Sequence, residues 1–359
     1  MNTKFTPIIK AVGSFAVGMS MATGISCFLV ACGGSGGSGG GDNSASTSPS
    51  APSTPSTPIG PTVTPGNLQT TVPAPTYVAG SQELAFYTAY NAFRQAEGLG
   101  LLAQNTKLDT ADQNHLKYVL TNTDLNFTSI DPATGRPLFH IEDPKRPNFT
   151  GVQELDRANF AQYGGVYVGE SGTYGGGQGA VKALNGLLAG VYHRAGLMFQ
   201  APKDFGIAIG TDALNTTVMT FGYVSTRQSN ASDYFGFYPA ANQTGVALYA
   251  GTETPNPFPD LSYSDFSTKT SYPINVVSAD GTTLTVTTFT VTESGQTAPM
   301  STRLLTQAND TNKELQANTA FLVANTSFKP NTVYNVSFVG TVNGANVTKT
   351  WSFTTGNSN

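Results

Sequence analysis

The chain has three histidines, and two of them stand in surroundings that could do chemistry. His140 lies in Leu138-Phe139-His140 and His193 in Val191-Tyr192-His193-Arg194, with Glu170 between them in Val168-Gly169-Glu170-Ser171. Neutral imidazoles beside a carboxylate suit a divalent cation such as zinc, leaving coordination positions for water or a ligand. Without a metal, a histidine next to a glutamate can move protons near neutral pH. The same groups can also simply hydrogen-bond one another and pin loops. Glu142, two residues after His140, and Ser171, next to Glu170, are further candidates for the same site. His115 shares an apolar helix face with Ala111 and Val119 and reads as a core-edge histidine outside it.

Three other patterns fail on their own terms. Gly175, Gly177 and Ala180 loosely fit a dinucleotide-binding turn, but neither repeating strand-helix units nor a ribose-binding acid follows. Gly169-Glu170-Ser171-Gly172 has Thr173 where a nucleophile elbow needs glycine, which makes Ser171 a poor hydrolase nucleophile. His-Glu-x-x-His, the common metalloprotease helix, is missing. Eighteen Lys and Arg against 22 Asp and Glu give a formal net charge of −4 with no basic stripe, which excludes ordinary nucleic-acid binding.

The elements that must position these residues are legible from periodicity. Ser81 is a plausible cap for a helix over Glu83 to Glu97, with Phe86, Ala89, Tyr90, Phe93 and Ala96 on one face and Gly98 as a stop. A second helix is expected after Leu108, capped by Asp109. A third is expected from Gln178 to Ala189, with an apolar stripe of Val181, Leu184, Leu187 and Leu188. Residues 122–178 read as loops with short strands such as Gly165 to Val168, and two strands follow at Phe205 to Ile209 and Thr217 to Val224. Beyond about residue 232 no helix is convincing. Alternating runs such as Tyr334, Val336 and Phe338 predict strands, and Asp280-Gly281 and Asn343-Gly344 are strong hairpin signals. The expected class is α+β, an α/β domain over 80–230 followed by an all-β sandwich over 231–359.

The N-terminus predicts export. Lys4 and Lys10 precede an apolar stretch from Ala11 to Ala31, rich in glycine and serine, that reads as a signal peptide over 1–31 and not as a permanent span. Leu29-Val30-Ala31-Cys32 resembles the lipobox of bacterial lipoproteins, which implies cleavage before Cys32, lipid on that cysteine and membrane anchoring. The absence of Asp at position 33 favours the outer membrane by the family's sorting rule. Cleavage removes Cys27 and lipid consumes Cys32, so the exported part has no disulfide. Residues 33–79, rich in Gly and Ser and then in Pro, Ser and Thr, predict a linker.

From about residue 84 to 224 the chain resembles the CAP superfamily of cysteine-rich secretory, antigen 5 and pathogenesis-related proteins, in its bacterial form. The likeness rests on Asn91 and Arg94 in the first helix, then Leu108, Ala111 and His115 in the next. It continues through Phe139-His140, Asp156-Arg157, Gly169-Glu170-Ser171, His193-Arg194 and the strand Gly206-Ile-Ala-Ile-Gly210. The resemblance implies an α-β-α sandwich whose cleft brings His140, Glu170 and His193 together. It also implies a second carboxylate shortly before the last histidine, where this chain has Leu188-Ala189-Gly190. The C-terminal part resembles a bacterial Ig-like module, from Tyr238-Pro239 through Gly245-Val246 to Trp351-Ser352-Phe353. These resemblances imply an envelope protein that binds a lipid, a cell-wall fragment or a divalent cation. A hydrolase using the same cleft, and an adhesion or scaffold protein acting through the Ig-like part, are the alternatives.

Overall fold

The computed structural model describes residues 63–174, 179–212 and 215–357, together with the backbone of Ser14–Phe15. The rest of the expected signal peptide, Cys32 and the linker up to residue 62 lie outside the described residues. Thr64–Asn359 falls within one compact unit. No helix among the described residues is long and apolar enough to cross a membrane.

The first half is built on a mixed sheet. Helix α1 (Gln82–Ala96) begins where expected, with the Ser81 hydroxyl accepting from the Leu84 amide at 3.1 Å. Gly98, at φ 67°, follows its end. Helix α2 (Thr106–Thr121) starts earlier than expected, because the Asn105 side chain caps it by accepting from Lys107 N. Asp109 is therefore inside the helix, and its carboxylate instead takes the Tyr77 hydroxyl and the Ile207 amide. The stretch read as loops contains a short helix, α3 (Glu154–Phe160), and a seven-residue strand, β3 (Tyr167–Thr173). Helices α4 (Ala180–Leu188) and α5 (Tyr192–Leu197) precede strands β4 (Asp204–Ile209) and β5 (Thr217–Tyr223). On α4, Leu184, Leu187 and Leu188 are buried as expected, but Val181 is exposed and Ala180 and Ala183 line the core.

Strands β3 and β4 both pair antiparallel with β5, and the two-residue β2 (Ala103–Gln104) adds parallel to β4. Beyond β3 lie β1 (Ser14–Phe15) and then β7 (Glu253–Thr254). Side chains alternate across a strand, so neighbouring residues face opposite layers. Phe205, Ile207 and Met219 pack with α1 and α4, whereas Val218 and Val168 belong to clusters with α2 and α3. Helices therefore cover both faces of this sheet.

The second half has two further sheets, β10-β11-β8-β6 and β13-β12-β9. These strands are β6 (Phe235–Tyr238), β8 (Ile274–Ser278), β9 (Leu284–Glu293), β10 (Thr302–Thr306), β11 (Thr319–Ala324), β12 (Val333–Val342) and β13 (Ala345–Thr354). Ile274, Val276 and Leu322 of one sheet share a core cluster with Val291, Phe338 and Phe353 of the other. Asn343-Gly344 closes the β12–β13 hairpin, with φ 48° and 82° at the two residues. Asp280-Gly281 does not make a hairpin: β8 pairs with β11 and β6, while β9 pairs with β12, so this turn passes the chain between sheets. Contrary to the expectation of no helix, Tyr263–Lys269 forms α6, with Ser262 as its cap.

One boundary shifts. Residues 64–79, assigned to the linker on composition, lie along the α/β half as a hydrogen-bonded strap. Gln69 donates to the Leu101 and Lys203 carbonyls, and Asn67 to the Arg227 carbonyl. Composition measures how much apolar area a segment can bury and is blind to such specific backbone partners.

Candidate functional site

Two histidine–carboxylate pairs stand out, each completely enclosed. The first is built around Glu170, which β3 presents in register with Thr220 of β5, on the face covered by α2. His140 ends a 3-10 turn (Leu138–His140), and its Nδ1 lies 2.9 Å from Glu170 Oε1. Arg157, from α3, donates to Glu170 Oε2 at 2.6 Å and to the His140 carbonyl at 3.2 Å. Burial alone would raise the Glu170 carboxyl, but Arg157, then His115 and His140, hold it well below the usual range. Burial pushes the His140 ring down, so it is neutral at pH 7, with its proton on the nitrogen facing Glu170.

His115 belongs to this network and is not a core-edge residue. Its Nδ1 is 2.9 Å from Glu142 Oε1, its Nε2 is 2.7 Å from the Phe139 carbonyl, and Glu170 Oε1 lies 3.7 Å from Nε2. A carbonyl can only accept, so Nε2 carries a proton. Glu142 is completed by the Thr150 and Gly151 amides. The signal in the sequence was the run Asp109, Asp112, His115. Residues three apart share a helix face, and all three of these polar groups are buried. Asp112 bonds the Thr220 hydroxyl, and burial holds its carboxyl well above the usual range. Apolar neighbours on that face hid the polar seam.

The second pair has a carboxylate of its own. His193 Nδ1 lies 3.0 Å from Glu253 Oε2, and no hydrogen bond or ion pair joins His193 to Glu170 among the described residues. Glu253 comes from β7, 60 residues further along the chain. Its carboxylate also accepts from the Val191 amide at 2.6 Å, the Tyr192 amide at 3.0 Å and the His193 amide at 3.1 Å. The first amides of a helix lack internal partners and favour an anion, so Glu253 satisfies the opening turn of α5. Gly190 makes this approach feasible: a Cβ there would stand 2.7 Å from Glu253 Oε2. Leu188-Ala189-Gly190 offers no carboxylate, and the one beside His193 comes from a distant strand, seated where glycine leaves room.

Burial pushes the His193 ring down as well, so it is neutral, with its proton on Nδ1 toward Glu253. Its Nε2 is buried with no hydrogen-bond partner among the described residues. The Ser171 hydroxyl is likewise buried and makes no hydrogen bond to either histidine. Among the described residues no group of three or more His, Cys, Asp or Glu side chains is arranged to hold a metal ion.

Arg194, next to His193, is spent on packing. Its guanidinium bonds the Leu188 and Pro273 carbonyls and lies 4.5 Å from the centre of the Tyr272 ring and 4.9 Å from that of Tyr238. Tyr192 reaches Asp310 through its hydroxyl at 2.5 Å. Three consecutive residues of α5 therefore grip the second half of the chain.

No protein-family model and no curated protein matches the chain. Among solved structures it is similar to an extracellular protein containing a SCP domain from Bacillus anthracis str. Ames, at 19% identity and a TM-score of 0.30. The likeness covers 40% of this chain and 40% of that one. The chain thus spans less than half of that protein's length, and a similarity this slight carries neither fold nor activity across. What the chain itself shows is a mixed α+β protein in which three buried histidines are each held by a carboxylate.

Proposed function

We propose that this is a binding protein of the bacterial envelope, tethered through lipid on Cys32, with a CAP-type first half and an Ig-like second half. Its ligand site uses His193 together with His140, and the ligand is a divalent cation of the zinc class, with positions left for water or a second ligand. The observation that carries this is the state of His193. A carboxylate fixes the proton on Nδ1 and burial keeps the ring neutral, so a lone pair is held at Nε2 with no group among the described residues using it. Metal-ligating histidines usually have this arrangement, the second nitrogen donating to a carboxylate. His140 is likewise neutral and held by Glu170 through Nδ1.

A purely structural role fits the rest of the first cluster better. Glu142 and the His115 ring nitrogens have hydrogen-bond partners, and both Glu170 oxygens do too. That set pins the loop from residue 138 to 152 onto the sheet. Against the hydrolase alternative stands Ser171, whose hydroxyl has no base within hydrogen-bond distance among the described residues.

Zinc titration by calorimetry on the full chain without a His tag and with Cys27 and Cys32 changed to Ser, beside the same protein carrying His140→Ala/His193→Ala, tests the reading. One-site binding that the variant loses supports it; no heat from the unaltered protein overturns it.

A further inference from the structure

The second half of the chain does more at His193 than pack nearby. Glu253 stands on β7, just before the loop that carries α6, and four separate N–H groups converge on its two oxygens: the Val191, Tyr192 and His193 amides and the His193 ring. The side chain is fully enclosed. Between α4 and α5 the chain offers no side-chain oxygen in its place: Leu188, Ala189, Gly190 and Val191 have none.

We propose that Glu253 is the positioning residue of the His193 site, so that the α/β half alone leaves the site incomplete and the second half completes it. The inference rests on reading His193 as the ligating residue. An imidazole without this acceptor can carry its single proton on either nitrogen and turn about its χ2 axis. With the acceptor in place, the proton is on Nδ1 and the lone pair is aimed from Nε2. Because the same carboxylate also ties down the first turn of α5, occupancy of Nε2 and the seating of β7 against α5 stabilise one another. Linkage requires that effect to be reciprocal. Tyr192 and Arg194 reinforce it by reaching Asp310 and Pro273 on either side.

The test uses the full chain, with Cys27 and Cys32 changed to Ser so that neither takes up zinc, as the reference protein and as its Glu253→Gln and Gly190→Ala variants. Glutamine has one acceptor oxygen and an amide that would face backbone N–H groups, so it cannot satisfy the same four donors. Alanine at 190 leaves the charge intact but crowds Glu253 Oε2, and it serves if the glutamine variant fails to fold. Two readouts are taken: the ring tautomer of His193, from long-range nitrogen-15 spectra, and zinc affinity. The expected result is a single Nδ1–H tautomer in the reference protein and a mixed tautomer in the variants, with zinc affinity lowered roughly 10- to 100-fold. A merely structural glutamate would lower thermal stability without moving the tautomer in the folded fraction, and that result overturns the proposal. Zinc binding lost in the double histidine variant but unchanged by Glu253→Gln also overturns it, while leaving the cation reading intact. A tautomer that responds to Glu253→Gln in a protein that binds no zinc supports the positioning role and removes the cation reading.

Discussion

Gly190 and Glu253 occupy one another's space: a methyl group on the first would lie 2.7 Å from a carboxylate oxygen of the second. Glycine is needed here for room, since Gly190 is not among the residues with positive φ. Gly190→Ala should cost about 1–3 kcal/mol, the usual range for forcing extra volume into a packed site. Gly186, one helical turn earlier, has nothing within 4 Å of its would-be Cβ and lies inside α4. Gly186→Ala should therefore stabilise by about 0.5–1 kcal/mol. Urea denaturation of the two variants gives opposite signs if this reading is right.

Arg157 and Glu170 form an enclosed ion pair at 2.6 Å. Arg157→Met strands the carboxylate and should cost about 3–5 kcal/mol. Adding Glu170→Gln to it should recover part of that loss, because the uncompensated charge is gone. A double-mutant cycle showing simple additivity would refute the coupling.

Buried neutral histidines make the protein acid-sensitive. His140 and His193 both have pKa values lowered by burial. Below about pH 6.5 the unfolded chain takes up protons that these folded rings resist, so stability falls as pH drops from 6.5 through the folded values. His193→Gln should flatten that part of the profile, as followed by thermal unfolding between pH 4.5 and 7.5.

Three carboxyls act in the opposite direction. Burial raises Glu97 to about 8, Glu314 to about 7 and Asp280 to about 6. Each binds a proton more tightly folded than unfolded, so its contribution is present below pH 4 and is lost as pH rises through the folded value. Glu97→Gln should raise stability at pH 9 by more than about 1 kcal/mol relative to wild type and make little difference at pH 4. An equal effect at both pH values would show that packing, not ionisation, is responsible.

Ser171 has a buried hydroxyl without a hydrogen-bond partner among the described residues. Ser171→Ala should be neutral or stabilising by up to about 1 kcal/mol, since it removes an unsatisfied polar group. If the variant instead abolishes turnover of some ester or amide substrate, the hydroxyl is a nucleophile after all.

Local patterns carried the elements. Period 3.6 placed α1 and α4, short apolar runs placed β4 and β5, alternation placed β12 and β13, and Asn343-Gly344 marked their hairpin, because each of these depends on neighbours a few residues apart. His140 and Glu170 were legible by type and flanks, and they do meet. Three things were decided only by the tertiary structure. His115 looked apolar in context until Glu142 and the Phe139 carbonyl closed on it from 27 and 24 residues away. Asp280-Gly281 has hairpin chemistry, yet the strands on either side find better partners in different sheets. Glu253 reaches His193 across 60 residues, and no short-range pattern records a carboxylate that fills the space left by a distant glycine. Propensity and periodicity act along the chain, whereas the enclosed charge pairs are selected by which surfaces the folded layers bring into contact.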